Sequence, residues 1–492
     1  MKRALTAISF CLLLAACGKD TTDPVVQNAL TKMHTRMVER IMTHAVTIEY
    51  PLLAKATSEL NVKIMPVAES YKGNASIALT TTMNSDATDA KNPKADLSLQ
   101  LIASADIPSD LAPKPDKANL SAVINARAVD RTLSVNFEKM DLTASTFLPE
   151  PFTLPPLLAS RWYGQTFAEL DAMLQKSERG QGRGVQPPIE QILTNALRGV
   201  RMTPADLKKF LSQAHIWKGI RMFPGREDIG LIQIEVESDK EKIRDTVRAL
   251  LTYIQVMSGP SFESQMRTNE ELQTMMQSLT KNDAEFMRTM GSAKGILSAD
   301  KTTYDFRGFD GDIFSEAGEQ TAKVEIRHHV NGDFSIRIVD LATKESFEFI
   351  KQGADIWLTS ADSDLLRGTL TREKADITLM GREHVVMEAS FDIDTLTKEN
   401  FEISRGVFIF PTKKLTVTVN TLAINLSNSF KDFQMTTKAV GTLDGKQLFT
   451  ADFEAARTEI PAFTLTKPPY LPFSELQKDF MGALMPSPAF AP

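Results

Sequence analysis

The chain has 492 residues, 42% of them hydrophobic and 24% charged, a composition that supplies enough apolar mass for an ordinary globular core. Its net charge of −6 falls to −8 if a leader carrying Lys2 and Arg3 is removed, which excludes the dense basic patches that hold nucleic acid or clamp anionic lipid. Cys11 and Cys17 are the two cysteines, both within the first seventeen residues, so stability is expected from packing and hydrogen bonding, without disulfides.

Lys2 and Arg3 precede an apolar run from Ala4 to Ala16, too short to span a bilayer core of about 30 Å and of the length of a signal-peptide core. The run ends in Leu14-Ala15-Ala16-Cys17, followed by Gly18. This resembles the lipobox of bacterial lipoproteins. The resemblance implies cleavage after residue 16, with Leu14, Ala15 and Ala16 read by the signal peptidase and Cys17 carrying a diacylglyceryl group. It also implies attachment to the membrane through that lipid, at about 0.8 kcal/mol per buried methylene. Gly18 stands where an aspartate marks inner-membrane retention in that family, so an outer-membrane or cell-surface destination is favoured over the inner membrane.

Residues 17–45 hold the lipidated terminus and a first helix: Asp23-Pro24 begins it, and Val26, Leu30, Met33, Met37 and Ile41 recur at helical spacing. From Thr47 to Thr146 the period changes to two, with strands around Ile77–Leu79, Leu97–Leu101, Val123–Ala126 and Leu133–Phe137 divided by polar breaks such as Asp130-Arg131. Helices follow near Gln165–Lys176, Pro188–Arg198 and Pro204–Gln213, the last capped by Thr203. Two strands return at Ile216–Phe223 and Ile229–Glu237. Ile243, Val247, Leu250, Leu251 and Ile254 then mark a helix with Ser238 as its cap and Glu241 completing a capping box. A helical connector is expected over 259–290, a strand-rich domain over 291–467 with hairpins at Asn331-Gly332 and Asp444-Gly445, and a proline-rich tail over 468–492. The expected fold class is α+β: antiparallel meanders wrapped on helices, in two tandem curved-sheet domains, the first over 46–258.

A lipid-anchored chain with a wide antiparallel meander closed by helices resembles the LolA/LppX-type lipid carriers of the bacterial envelope, over roughly residues 46–258 and more loosely 291–466. The resemblance implies a curved sheet around an apolar cavity that takes acyl chains. It rests on element order and lipidation and assigns no binding residues.

Catalytic and metal motifs are not found. His328 and His329 alternate faces of a strand, and His34 and His44 sit about 80° apart on a helix. His215 and His384 stand alone in the sequence, and no Cys/His spacing suits zinc. The acid pairs Asp310 with Asp312, Asp362 with Asp364 and Asp392 with Asp394 lack the oxygen ladder of a calcium loop. Gly180 to Gly184 precedes Pro187-Pro188 where a phosphate cradle needs a helix. The expectation is a non-enzymatic envelope protein with no cofactor and no metal, which binds lipid or another apolar ligand in a curved-sheet cavity. The alternative is an envelope scaffold that binds a partner protein and has no cavity.

Overall fold

The computed structural model describes residues 23–45, 47–65, 73–89, 91–107, 116–144, 151–179, 189–198, 201–214, 216–224, 230–258, 291–361, 363–381, 384–397, 399–427 and 431–484. The leader, Cys17, His215, Asp362, the Gly180 to Gly184 stretch and the connector expected over 259–290 lie outside the described residues.

The fold is not α+β with two tandem sheets. All strands but two short ones, β1 (Ile48–Glu49) and β9 (Arg201–Met202), belong to a single 23-stranded, almost wholly antiparallel sheet. The physical reason is one long-range pairing. Strand β2 (Leu53–Ile64) begins the first meander, and its outer edge would carry a row of unpaired N–H and C=O groups. Strand β24 (Lys446–Glu459), almost four hundred residues away, satisfies that edge over eleven register pairs, from Ala54↔Glu459 to Ile64↔Phe449. Periodicity marks both strands but carries no information about which edge each takes.

The contacts divide the chain into two units, each assembled from separated stretches. Unit 1 takes in 1–47, 201–257 and 269–387. Its helix α1 (Pro24–His44) starts at Asp23, whose carboxylate accepts from Val25 N at 2.8 Å, and it buries Val26, Ala29, Leu30, Met33, His34 and Val38 along one stripe. The stripe packs with β10 (Trp217–Pro224), β11 (Leu231–Ser238), β12 (Ser292–Asp300), β13 (Phe306–Phe314) and β14 (Gln320–His328) in a core that contains Trp217, Ile234, Leu297, Phe309 and Ile326. The Trp217 and Phe309 rings stand 5.1 Å apart in that core. Two helices complete this side, α5 (Pro204–Gln213) and α6 (Lys240–Ser258). Thr203 caps α5, as expected, by accepting from Asp206 N at 3.1 Å. The cap of α6 is Asp239, which accepts from Glu241 N and Lys242 N. Ser238, the expected cap, instead accepts from Ala293 N at 2.8 Å, because it is still the last residue of β11 and its side chain faces β12. The unit continues through β15 (Phe334–Asp340), β16 (Ser346–Gln352), β17 (Asp355–Ser360), β18 (Ser363–Leu370) and β19 (Lys374–Met380).

Unit 2 takes in 48–200, 258–268 and 388–492. It holds the first meander, β2, β3 (Ala75–Asp86), β4 (Lys94–Ile107), β5 (Asp116–Val129) and β6 (Thr132–Ala144), followed by β7 (Phe152–Thr153) and β8 (Trp162–Thr166). To these it adds β20 (Val385–Leu396) from residue 388 onward, β21 (Asn400–Phe410), β22 (Leu415–Ser427), β23 (Asp432–Leu443) and β24. The β5–β6 and β23–β24 hairpins turn at Asp130-Arg131 (φ 49° and 54°) and Asp444-Gly445 (φ 50° and 76°), the left-handed pairs that match strand twist. Short helices α2 (Pro156–Ala159), α3 (Phe167–Arg179) and α4 (Ile189–Arg198) gather near β6 and β8. Where a loose or docked proline-rich tail was expected, β25 (Tyr470–Pro472) pairs in parallel with β8 and leads into helix α7 (Phe473–Leu484).

Candidate functional site

Strand alternation sends every second side chain of β2 to one face: Ala54, Ala56, Ser58, Leu60, Val62 and Ile64 on one side, Lys55, Thr57, Glu59, Asn61 and Lys63 on the other. The register carries that division across the whole of unit 2. One transverse row reads Ile393, Ile403, Leu422, Thr437, Phe453, Leu60, Leu79, Leu101, Ala122 and Met140, one residue from each strand from β20 to β6. The parallel row two residues on reads Phe391, Gly406, Val419, Ala439, Ala451, Val62, Ile77, Ala103, Leu120 and Leu142, with no polar side chain in it. At about 4.8 Å per strand the rows run roughly 40 Å along the sheet. The opposite face carries rows such as Glu402, Ala423, Thr436, Glu454, Glu59, Thr80 and Gln100.

This apolar face is not closed over as a core would be. Ile393, Ile403 and Ala122 are buried, but Leu60, Leu79, Leu101, Leu120, Leu422 and Phe453 remain partly open to solvent, and Ile77 is 42% exposed. A partly open apolar surface that runs across ten strands exceeds the scattered hydrophobics of a typical exterior. Unit 1 differs: the equivalent face of β11–β14 lies under α1 and is buried.

Two polar groups on the apolar face, Ser58 and Thr81, satisfy one another. They are register partners and share a hydrogen bond of 2.7 Å, which leaves no directional demand on a ligand there. At the middle of the rows, toward the Ile64 end of β2, Val62, Ile64, Leu448, Phe449 and Ala451 line an open, wholly apolar depression of about 380 Å³. Its wall depends on Gly441, since a Cβ there would collide with the Phe449 ring that lies against it.

At the β6 end of the rows, the face passes to β8 through Val135↔Tyr163. There Phe480 of α7 meets Phe137 edge to face, with ring centroids 5.1 Å apart. The Asp479 carboxylate accepts from the Tyr163 hydroxyl at 2.7 Å and the Arg161 guanidinium at 2.9 Å. The Tyr163 hydroxyl, followed by Arg161, holds the Asp479 carboxyl below the usual carboxylate range. Burial, with Asp479 beside it, pushes the Tyr163 phenol up to about 12.

The sequence-level candidates fall elsewhere. Cys17, Leu14, Ala15 and Ala16 lie outside the described residues. His34 is buried on α1 and its Nε2 meets the Leu211 carbonyl at 2.9 Å; His328 is in β14, where burial lowers its pKa. Asp310 pairs with Arg327 at 3.3 Å, and Asp394 accepts from Ser404 at 2.9 Å. Among the described residues no group of His, Cys, Asp and Glu has the spacing of a metal site, and no helix is long and apolar enough to cross a membrane. A wider depression of about 580 Å³ over the β15–β16 hairpin is lined by His329, Asn331, Asp333, Glu348 and Lys351 among others. Its Asp333 is already committed to Gly353 N and Asn331 Nδ2, both at 2.7 Å.

No family model matches the chain, and no curated protein matches it. Among solved structures, it is similar to the translocator domain of autotransporter NalP from Neisseria meningitidis, at 6% identity and a TM-score of 0.21 over 88% of this chain and 97% of that one. It is also similar to OccK7 (OpdD) of Pseudomonas aeruginosa, at 5% identity and a TM-score of 0.18 over 84% of this chain and 99% of that one. Scores of that size establish no shared fold, and neither translocation nor pore formation is carried over from them.

Proposed function

We propose that this chain is a cell-envelope lipoprotein, acylated at Cys17, whose non-enzymatic work is to hold the acyl chains of a lipid or a similar apolar ligand on the open face of unit 2. The observation that carries the reading is the pair of largely apolar rows from β20 to β6, whose Leu60, Leu79, Leu101, Leu120, Leu422 and Phe453 keep partial exposure to solvent. A bilayer core of about 30 Å spans two opposed chains, so a face of roughly 40 Å accommodates an extended acyl chain with room to spare. Mutual satisfaction of Ser58 and Thr81 suits a ligand held by area and not by hydrogen bonds. Leu14, Ala15 and Ala16 before Cys17 support the lipidation, and Gly18 after it favours the outer membrane or cell surface.

The test replaces face residues by charge. Leu101 and Leu422 each stand third from an end of one row and are already partly solvated, and the variants are Leu101→Asp and Leu422→Asp. Each is expected to weaken oleate binding by at least about tenfold while the protein stays folded, since a carboxylate in the acyl path must be desolvated. Unchanged oleate affinity in both variants would dismiss the face as the site. Independently, Cys17→Ser is expected to move the protein from the membrane fraction to the soluble fraction, and continued membrane attachment would remove the lipoprotein assignment.

A further inference from the structure

The contact between α7 and the end of the apolar face has the character of a removable cover. Residues 460–469 that lead to β25 are in neither helix nor strand, so α7 arrives on an extended strap. The helix sets Phe473, Leu476 and Phe480 on one side at i, i+3 and i+7, and all three keep partial solvent exposure. Phe480 rests on Phe137, which is one step from Val135 on the same face that carries Leu120 and Leu142. The polar half of the contact is a single carboxylate, Asp479, between Tyr163 and Arg161.

We propose that α7 is a displaceable cap: Phe480 occupies the place on Phe137 that an acyl chain takes when ligand fills the β6 end of the face. The inference rests on the reading of that face as the acyl site, and adds that filling it and docking α7 exclude each other. A ligand that binds only the uncapped form opens the cap by mass action, and a weakened cap raises ligand affinity by the same linkage.

The test uses the full chain carrying Cys17→Ser, with oleate as the probe and amide hydrogen exchange as the readout. At oleate ten times its Kd, the amides of α7 are expected to lose about tenfold of their protection, while those of α1 in unit 1 do not change. Phe480→Ala is expected to bind oleate roughly two- to tenfold tighter than the parent chain, the factor that corresponds to one edge-to-face ring pair. Asp479→Asn is expected to move affinity in the same direction. Oleate that binds yet leaves α7 equally or better protected overturns the cap and leaves the acyl site standing. Variants that bind oleate no tighter than the parent overturn it as well. Absence of oleate binding in parent and variants alike removes the acyl site, and the cap with it.

Discussion

Asp479 joins a helix to the sheet through two donors, and its carboxyl is held low first by the Tyr163 hydroxyl and then by Arg161, with Lys478 beside it. A carboxyl whose pKa is depressed in the folded state contributes stability above its unfolded value and loses it as pH falls through the folded value. Tyr163 is raised, to about 12, so its contribution is complete below the ordinary tyrosine range and is lost only as pH rises through that value. Docking of α7 is therefore expected to hold from about pH 9 down to about pH 5 and to fail in acid below the ordinary carboxylate range, read as loss of near-ultraviolet dichroism from the tyrosine and phenylalanine rings. Gly441 makes a second prediction at this scale. Gly441→Ala drives the Phe449 ring from its seat beside the depression of about 380 Å³, at an expected cost of about 1–3 kcal/mol in denaturant unfolding. In unit 1, Asp305 is only 6% exposed and accepts from Arg36 at 3.3 Å and Arg40 at 2.6 Å, which fixes α1 to the turn between β12 and β13.

The two kinds of sheet face behave differently as elements. Leu30 on α1 is fully buried against β-strands, so Leu30→Ala is expected to cost about 2–5 kcal/mol in denaturant unfolding. Leu101 and Leu422 on the open rows lose far less when truncated to alanine, about 1 kcal/mol, because their surroundings are already partly wet. Equal costs at the two kinds of position would mean that the open face is a packed core. Much of this level was legible in the sequence. The period of two located β3 to β6, Asp23 and Thr203 marked their helix starts, and Asp444-Gly445 marked its hairpin. The α6 cap was misread by one residue because Ser238 and Asp239 are both good caps, and only the pairing of β11 with β12 decides which side chain is free to turn back. Helix α7 was masked by the prolines around it, although Phe473, Leu476 and Phe480 already keep helical spacing after Pro472.

At the scale of the molecule, the residues of the candidate site are individually unremarkable, and their alignment is what gives them a role. Leu60 and Phe453 are neighbours only because β2 and β24 pair across almost the whole chain, and no local pattern announces that choice. The expected split into two tandem sheets followed chain order, whereas edge satisfaction joined the first meander to the last strands. The alternation within each strand predicted that one face would be apolar; it did not predict that ten such faces would line up and stay open. The most direct measurement is native mass spectrometry of the Cys17→Ser chain purified without detergent, with organic extraction of the same sample. Co-purified lipid near one molecule per chain, lost in Leu101→Asp and Leu422→Asp, is the predicted result, whereas a clean protein mass with no extractable lipid, even after incubation with oleate, would contradict it.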